Sequence, residues 1–336
     1  MPGAPILEVR DLRVEYATGG GAVRAVDGVD LDVHQGEFVG VVGESGCGKS
    51  TMLFAIARLL SPPAGITGGS VVFHGQNLVT MAEKELNVLR WRDLSVVMQS
   101  AMNALNPVAS IGAQLRDAME AHGKFTAAQV RERSAEVMSL VGIDPVHLKS
   151  YPHQLSGGMR QRAMIAMALL FTPDLVIMDE PTSALDVVAQ RSLMLQIKEL
   201  QRELGFAVVF VTHDMSLVSH FSDQLLVMYG GQVVEVGPTR TVFDTPAHPY
   251  SRGLLDAFPS IRGPRVELTG IPGSPPDLGA PPSGCRFQPR CPVAEDDCRV
   301  IAPALYQVGA AQSRCLLNDP RRAGAPAAEP DVEVGP

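Results

Sequence analysis

Gly43-Glu-Ser-Gly-Cys-Gly-Lys-Ser-Thr51 is the stretch that decides how this chain folds. Its spacing is that of the G-x-x-x-x-G-K-[ST] phosphate loop, in which backbone N–H groups cradle the phosphates of a nucleotide. Such a loop needs a buried strand before it and a helix after it. Phe38-Val-Gly-Val-Val42 leads straight in, and a continuously apolar run of that length suits a strand covered on both faces. Residues 50–60 follow as a helical pattern, whose N-terminus adds further donors and a favourable dipole. Alone, the loop implies a nucleoside triphosphate and nothing finer.

Working outward, residues 94–98, 175–178 and 208–211 are further apolar runs of strand length. Helical patterns lie between them, notably 189–204, with Leu193, Ile197, Leu200 and Leu204 at helical spacing. Buried parallel strands alternating with helices predict an α/β core. Residues 6–16 and 22–33 instead alternate apolar and polar, which predicts half-buried antiparallel strands. From about 101 to 170 no strand signal appears, and a helical insert is expected there.

Composition changes after about residue 245: sixteen of the 26 prolines and four of the five cysteines lie beyond it. The expected organisation is therefore a nucleotide-binding domain over 1–245, with its helical subdomain at about 101–170. A small, Cys-rich, loop-rich C-terminal domain, without a sizeable hydrophobic core, is expected over 246–317. Residues 318–336, rich in Ala, Pro and acidic residues, are expected to be a disordered tail.

A formal charge of −8 and the lack of any long basic stretch speak against a nucleic-acid partner. Met1-Pro-Gly-Ala-Pro-Ile6 shows no basic region followed by an apolar core, so no secretory signal is expected. The longest apolar run, 163–171, falls far short of the roughly 20 residues of a membrane span. The expectation is a cytosolic chain whose contact with a membrane comes through a partner.

Three more blocks follow the loop in fixed order: Leu155-Ser-Gly-Gly-Met159, Leu175-Val-Ile-Met-Asp-Glu180 and His213 at the end of an apolar run. Together they resemble the ATP-binding cassette family, the ATPase engines of membrane transporters. Chemistry alone places Lys49 among the β- and γ-phosphates and the Ser50 hydroxyl on Mg²⁺. Gly43, Gly46 and Gly48 supply the backbone angles and close approach of the cradle. Ser45 and Thr51 complete the loop with Cys47, whose thiol reads as a bystander. Asp179 ends a buried strand, where a carboxylate makes sense if it helps to hold Mg²⁺. The resemblance implies the remaining roles. Glu180 is the general base toward the attacking water, His213 the switch histidine at the γ-phosphate, and Gln99 a contact of Mg²⁺ and that water. Tyr16 stacks on adenine, the alternative being a tyrosine on an edge strand. Ser183-Ala-Leu-Asp186 links two ATP sites across a dimer. Ser156, Gly157 and Gly158 open a helix, and the family uses such a turn to cover ATP held by a second subunit. Met159 stands where the commonest signature has Gln.

Met98-Gln-Ser-Ala-Met-Asn-Ala-Leu-Asn-Pro107, Ser156-Gly-Gly-Met-Arg-Gln-Arg162, Ala247-His-Pro-Tyr250 and the cysteine-bearing tail are similar to the dipeptide/oligopeptide permease branch, in its D-type ATPase subunit. That resemblance implies an importer of di- and oligopeptides, sitting peripherally on the cytoplasmic face of the membrane. The implied partners are a second ATPase subunit of F type, two transmembrane permease subunits and an extracytoplasmic substrate-binding protein. Nickel, glutathione or oligosaccharide importers remain open, as does a soluble cassette protein outside transport. His248 reads as part of a structural turn with Pro249. Cys285, Cys291, Cys298 and Cys315, spaced x5, x6 and x16, suggest a metal staple rather than disulfides in a cytosolic chain. The resemblance favours a [4Fe–4S] cluster there, with zinc as the alternative.

Overall fold

The computed structural model describes residues 3–99, 104–183, 185–257 and 270–322. The chain runs through β1 (Leu7–Thr18), β2 (Gly21–Val33) and β3 (Phe38–Val42) into α1 (Lys49–Ile56). Next come β4 (Ala64–Phe73), β5 (Gln76–Asn77), α2 (Glu83–Leu89) and β6 (Leu94–Val97). Three helices follow, α3 (Ile111–His122), α4 (Ala127–Leu140) and α5 (Gly157–Ala168). The core resumes with β7 (Leu175–Asp179), α6 (Val187–Leu204), β8 (Ala207–Val211) and α7 (Met215–Phe221). It closes with β9 (Gln224–Tyr229), β10 (Gln232–Pro238), α8 (Thr239–Asp244), α9 (Pro249–Asp256), β11 (Tyr306–Val308) and β12 (Ala311–Ser313).

Two sheets result. An antiparallel one has the order β2-β1-β4-β5, and an eight-stranded one has the order β11-β12-β10-β9-β3-β8-β7-β6. Within the larger sheet β9, β3, β8, β7 and β6 pair in parallel. Every residue of β3, β7 and β8 is buried, which is why these strands read as unbroken apolar runs. Their side chains divide by the strand period of two. Val39, Val41, Ile177 and Val209 pack toward α1 and the antiparallel sheet, with Met52, Ile56, Val9 and Leu12. Phe38, Val42, Met178, Val208 and Phe210 face the helical side, with Leu193, Ile197 and Val218. Phe38 meets Phe210 edge to face at 5.2 Å.

The helical insert is present over its described residues, 104–170. Ser110 caps α3, and Thr126 with Gln129 forms a capping box on α4. Residues 100–103, which carry part of the block beginning at Met98, lie outside the described residues. α1 stops at Ile56, earlier than residue 60, and Arg58 takes a left-handed backbone (φ +54°) ahead of Pro62-Pro63.

The segment expected as a small C-terminal domain over 246–317 is joined to the large sheet. β12 pairs with β10, so β11 and β12 extend the large sheet itself. Phe287 is buried in an aromatic group, 5.2 Å from Tyr229 and 5.4 Å from Tyr250 between ring centres. The tail thus shares the ATPase core instead of lacking one, through a few widely spaced side chains that carry no periodicity. The disordered tail is corrected at its start as well. Short turns at Leu316–Asn318 and Pro320–Arg322 seat residues 318–322, with Asn318 Nδ2 donating to the Ala247 carbonyl at 3.0 Å. Residues 323–336 lie outside the described residues.

His248 joins the two parts. Its Nδ1 accepts the Tyr250 N–H at 3.0 Å, capping α9, and its own N–H donates to the buried carboxylate of Glu235. Full burial lowers its pKa from 6.5 to about 3. The unfolded chain therefore takes up a proton that the folded chain refuses. Stability from this group is present above pH ~6.5 and lost as pH falls toward 3. Between pH 6.5 and 5 the loss should be about 2 kcal/mol, and His248→Asn should flatten that slope. Urea unfolding across this range is the check; identical slopes in both proteins would exclude His248 as the source.

Candidate nucleotide site

The phosphate loop runs from the end of β3 into α1, as the sequence predicts. Gly48 precedes α1 with φ +103°, and no side chain caps that helix, so its first N–H groups face a ligand position. A Cβ on Gly43 would lie 2.2 Å from the Met228 carbonyl oxygen, and one on Gly48 would lie 2.1 Å from that of Ala25. Lys49 is largely buried and donates from Nζ to the carbonyls of Gly43 at 2.8 Å and Glu44 at 2.9 Å. These bonds bend the ammonium over the loop. Cys47 lies beneath it, almost fully buried, and burial raises its pKa. That placement suits a packing thiol.

Ser50 Oγ donates to Asp179 Oδ1 at 2.9 Å. Asp179 is 2% exposed. Burial raises its pKa and the Glu180 charge adds to this, while the Ser50 hydrogen bond and Lys49 act the other way. A buried carboxylate beside a hydroxyl and an ammonium has the hard oxygen donors that Mg²⁺ takes, so these residues fit that ion.

Glu180, one residue on, turns to the other side of the strand end. Its backbone is left-handed (φ +45°), a conformation that costs a non-glycine residue on the order of 1–2 kcal/mol and tends to occur at functional sites. Gln99 Nε2 donates to Glu180 Oε2 at 2.7 Å, while His213 Nδ1 stands 3.5 Å from Oε1. Residues 99, 180 and 213, far apart in sequence, thus converge on one carboxylate. Glu180, Ser183, Thr212 and His213 line a cavity of about 340 Å³ there.

Tyr16 is half-buried on β1, and its hydroxyl lies 3.1 Å from Thr51 Oγ1. It is not on an edge, since β1 pairs on both sides. Ser156 caps α5 by accepting the Met159 N–H at 3.3 Å, with Gly157 and Gly158 in the first turn. Asp186 caps α6, and Ser183 Oγ donates to the Glu180 carbonyl at 3.2 Å, tying this loop to the Glu180 turn. Ala184 lies outside the described residues.

The iron–sulfur expectation is not met by the geometry. Among the described residues no group of three or more His, Cys, Asp and Glu side chains is disposed to hold a metal ion. The four tail cysteines are free thiols rather than disulfides. Burial first, and then the charges of the other three, pushes Cys315 up to about 11. Thiols are soft donors, but among the described residues these four are not arranged as a ligand set.

Sequence reading missed three residues of this site. Arg290 makes a two-bond ion pair with Glu44, and Tyr250 Oη accepts the Glu44 N–H at 2.9 Å. Only the Ala247-His-Pro-Tyr250 block drew attention to that region, and no local pattern ties residue 290 to residue 44.

Known proteins resemble this chain in sequence and in fold. Residues 26–183 match the family profile described as ABC transporter, and residues 234–298 match that of the oligopeptide/dipeptide transporter C-terminal region. The chain is 43% identical over 320 residues to the dipeptide transport ATP-binding protein DppD of Bacillus subtilis, covering 94% of this chain and 96% of that one. It is 44% identical over 304 residues to the oligopeptide transport ATP-binding protein OppD of Salmonella typhimurium, covering 90% of each. Among solved structures, the ATP-binding cassette MJ0796, in a dimeric post-hydrolysis state bound to ADP and Pi, aligns with a TM-score of 0.63. Its identity is 29%, over 70% of this chain and 99% of that one.

Proposed function

The chain belongs to the ATP-binding cassette transporter family, as an ATPase, and from that premise we propose that it drives uptake of di- and oligopeptides through partner membrane subunits. The observation that carries the catalytic part is the convergence of Gln99 and His213 on Glu180, beside Asp179 and the phosphate loop. In this reading the loop N–H groups, Lys49 and Thr51 bind the phosphates, and Tyr16 lies toward the base. Ser50, Asp179 and Gln99 hold Mg²⁺, which when bound neutralises charge on the phosphates and orients them. Glu180 accepts a proton from the attacking water, with Gln99 fixing one carboxylate oxygen and His213 flanking the other. Ser156, Gly157 and Gly158 cover the nucleotide of a second cassette, so turnover needs a pair. ATP binding more tightly to the closed pair is what would move the permease.

The peptide cargo is supported by the names of the relatives and by the C-terminal profile match. As the ATPase of such an importer the chain would work with two permease subunits and an extracytoplasmic binding protein, and in our reading it sits on the cytoplasmic face of the membrane beside a second ATPase subunit of F type. Among the described residues no helix is long and apolar enough to cross a membrane. Affinity capture of the chain from host membranes tests the assembly: a different cassette and two permeases should come with it. Capture of a second copy of this chain alone would contradict the heterodimer.

A [4Fe–4S] cluster on Cys285, Cys291, Cys298 and Cys315 is a separate reading, supported only by the four soft thiols that this segment carries. No step above depends on it. Iron with acid-labile sulfide in anaerobically purified protein would support the cluster, and stoichiometric zinc without sulfide would exclude it.

A further inference from the structure

The phosphate loop is gripped from outside the cassette motifs. Glu44, its second residue, places a negative charge in a loop built to receive an anion. Arg290 meets that charge with Nη1 at 2.7 Å from Oε2 and Nη2 at 2.9 Å from Oε1. The same guanidinium is fixed by the carbonyls of Pro272 and Ile271 and by the Tyr229 hydroxyl, at 2.8, 3.2 and 3.3 Å. Such a fork is rigid as well as charged. The Arg290 side chain is 5% exposed and that of Glu44 23%. On the backbone side, Tyr250 Oη takes the Glu44 N–H at 2.9 Å, and the Tyr250 ring is locked 4.5 Å from that of Tyr229. The Glu44 carbonyl is in turn one of the two carbonyls that accept from Lys49 Nζ.

We propose that Arg290 and Tyr250 are positioning residues for ATP: the C-terminal segment neutralises and holds Glu44, and through it sets the phosphate loop and Lys49. Without Arg290 the Glu44 carboxylate is uncompensated beside the incoming phosphates and free to turn the loop. The C-terminal segment is then part of the nucleotide site, not an appendage to it. This rests on reading Gly43 to Thr51 as the ATP site, and the experiment separates the two claims.

Binding of Mg²⁺ and mant-ATP to the purified full-length chain is measured alongside thermal unfolding of the same samples. Arg290→Gln is expected to weaken binding about tenfold. Adding Glu44→Gln to it should recover most of that loss, because the unpaired charge is gone. Arg290→Lys, which keeps the charge without the fork, should fall between and remains informative if Arg290→Gln does not fold. Tyr250→Phe should weaken binding about threefold, as loss of one hydrogen bond does. Lys49→Ala should abolish binding. Wild-type affinity in both Arg290 variants, with Lys49→Ala dead, would overturn the clamp alone. Unchanged binding by Lys49→Ala would overturn the loop assignment itself. Equal weakening in Arg290→Gln and the double variant, matched by equal losses of melting temperature, would reduce Arg290 to a structural role and also overturn the proposal.

Discussion

Glu180→Gln is expected to leave ATP binding intact and to cut turnover by about 10²–10⁴-fold in the assembled transporter. The substitution preserves size and leaves an amide oxygen to accept from Gln99 Nε2, now 2.7 Å from the carboxylate. What it removes is the ability to take a proton from water. The barrier should rise by roughly 3–5 kcal/mol with little change in nucleotide affinity. Steady-state phosphate release from proteoliposomes, paired with nucleotide binding on the same preparation, gives both numbers. Undiminished turnover would take Glu180 out of the base role. Loss of binding in step with turnover would make its contribution one of architecture, carried by the left-handed turn that this residue occupies.

The second large effect is steric. Gly48→Ala puts a methyl group 2.1 Å from the Ala25 carbonyl oxygen at a φ of +103°. Ala25 belongs to β2, inside the antiparallel sheet, and cannot yield as a flexible side chain would. The loop must move or the sheet must open, at about 4 kcal/mol or more, and the cradle is lost either way. Gly46 provides the comparison. Its φ of +77° is also left-handed, but a Cβ there meets no protein atom within 4 Å. Gly46→Ala should cost only the backbone term of about 1–2 kcal/mol. Denaturant midpoints of the two variants test the difference, and equal losses would show that backbone angle alone governs this loop.

The parts of the fold legible beforehand were those where one physical constraint dominates a short stretch. β3, β7 and β8 are covered on both faces, so nothing but apolar residues fits, and their limits are visible to within a residue. The phosphate loop is legible because its glycines answer to backbone angle and to carbonyls 2.1–2.2 Å from where a Cβ would stand. β9 and β10 went unread although Leu225-Leu226-Val227-Met228-Tyr229 and the Gly230-Gly231 turn carry the signal of a buried strand and a hairpin. β11 and β12 are different. Three residues each, with alternation too short to register, they take their conformation from the edge offered by β10.

The site divides along the same line. Lys49, Ser50, Asp179 and Glu180 sit in motifs where neighbouring residues define the setting. Gln99 and His213 were placed by resemblance, and their meeting on Glu180 depends on three strands lying side by side, β6, β7 and β8. Arg290 and Glu44 are 246 residues apart, and their pairing exists only because the tail folds back onto β9 and β10. A pairing of that kind leaves no local trace in sequence.

Uptake of labelled di- and oligopeptides by the native host, comparing wild type with Glu180→Gln at equal levels of membrane-assembled protein, tests the central claim most directly. Uptake lost in the variant and present in wild type is the predicted result, tying peptide import to proton transfer at Glu180. Full peptide uptake by the assembled variant would contradict it, and the search for cargo would move to nickel, glutathione and oligosaccharides.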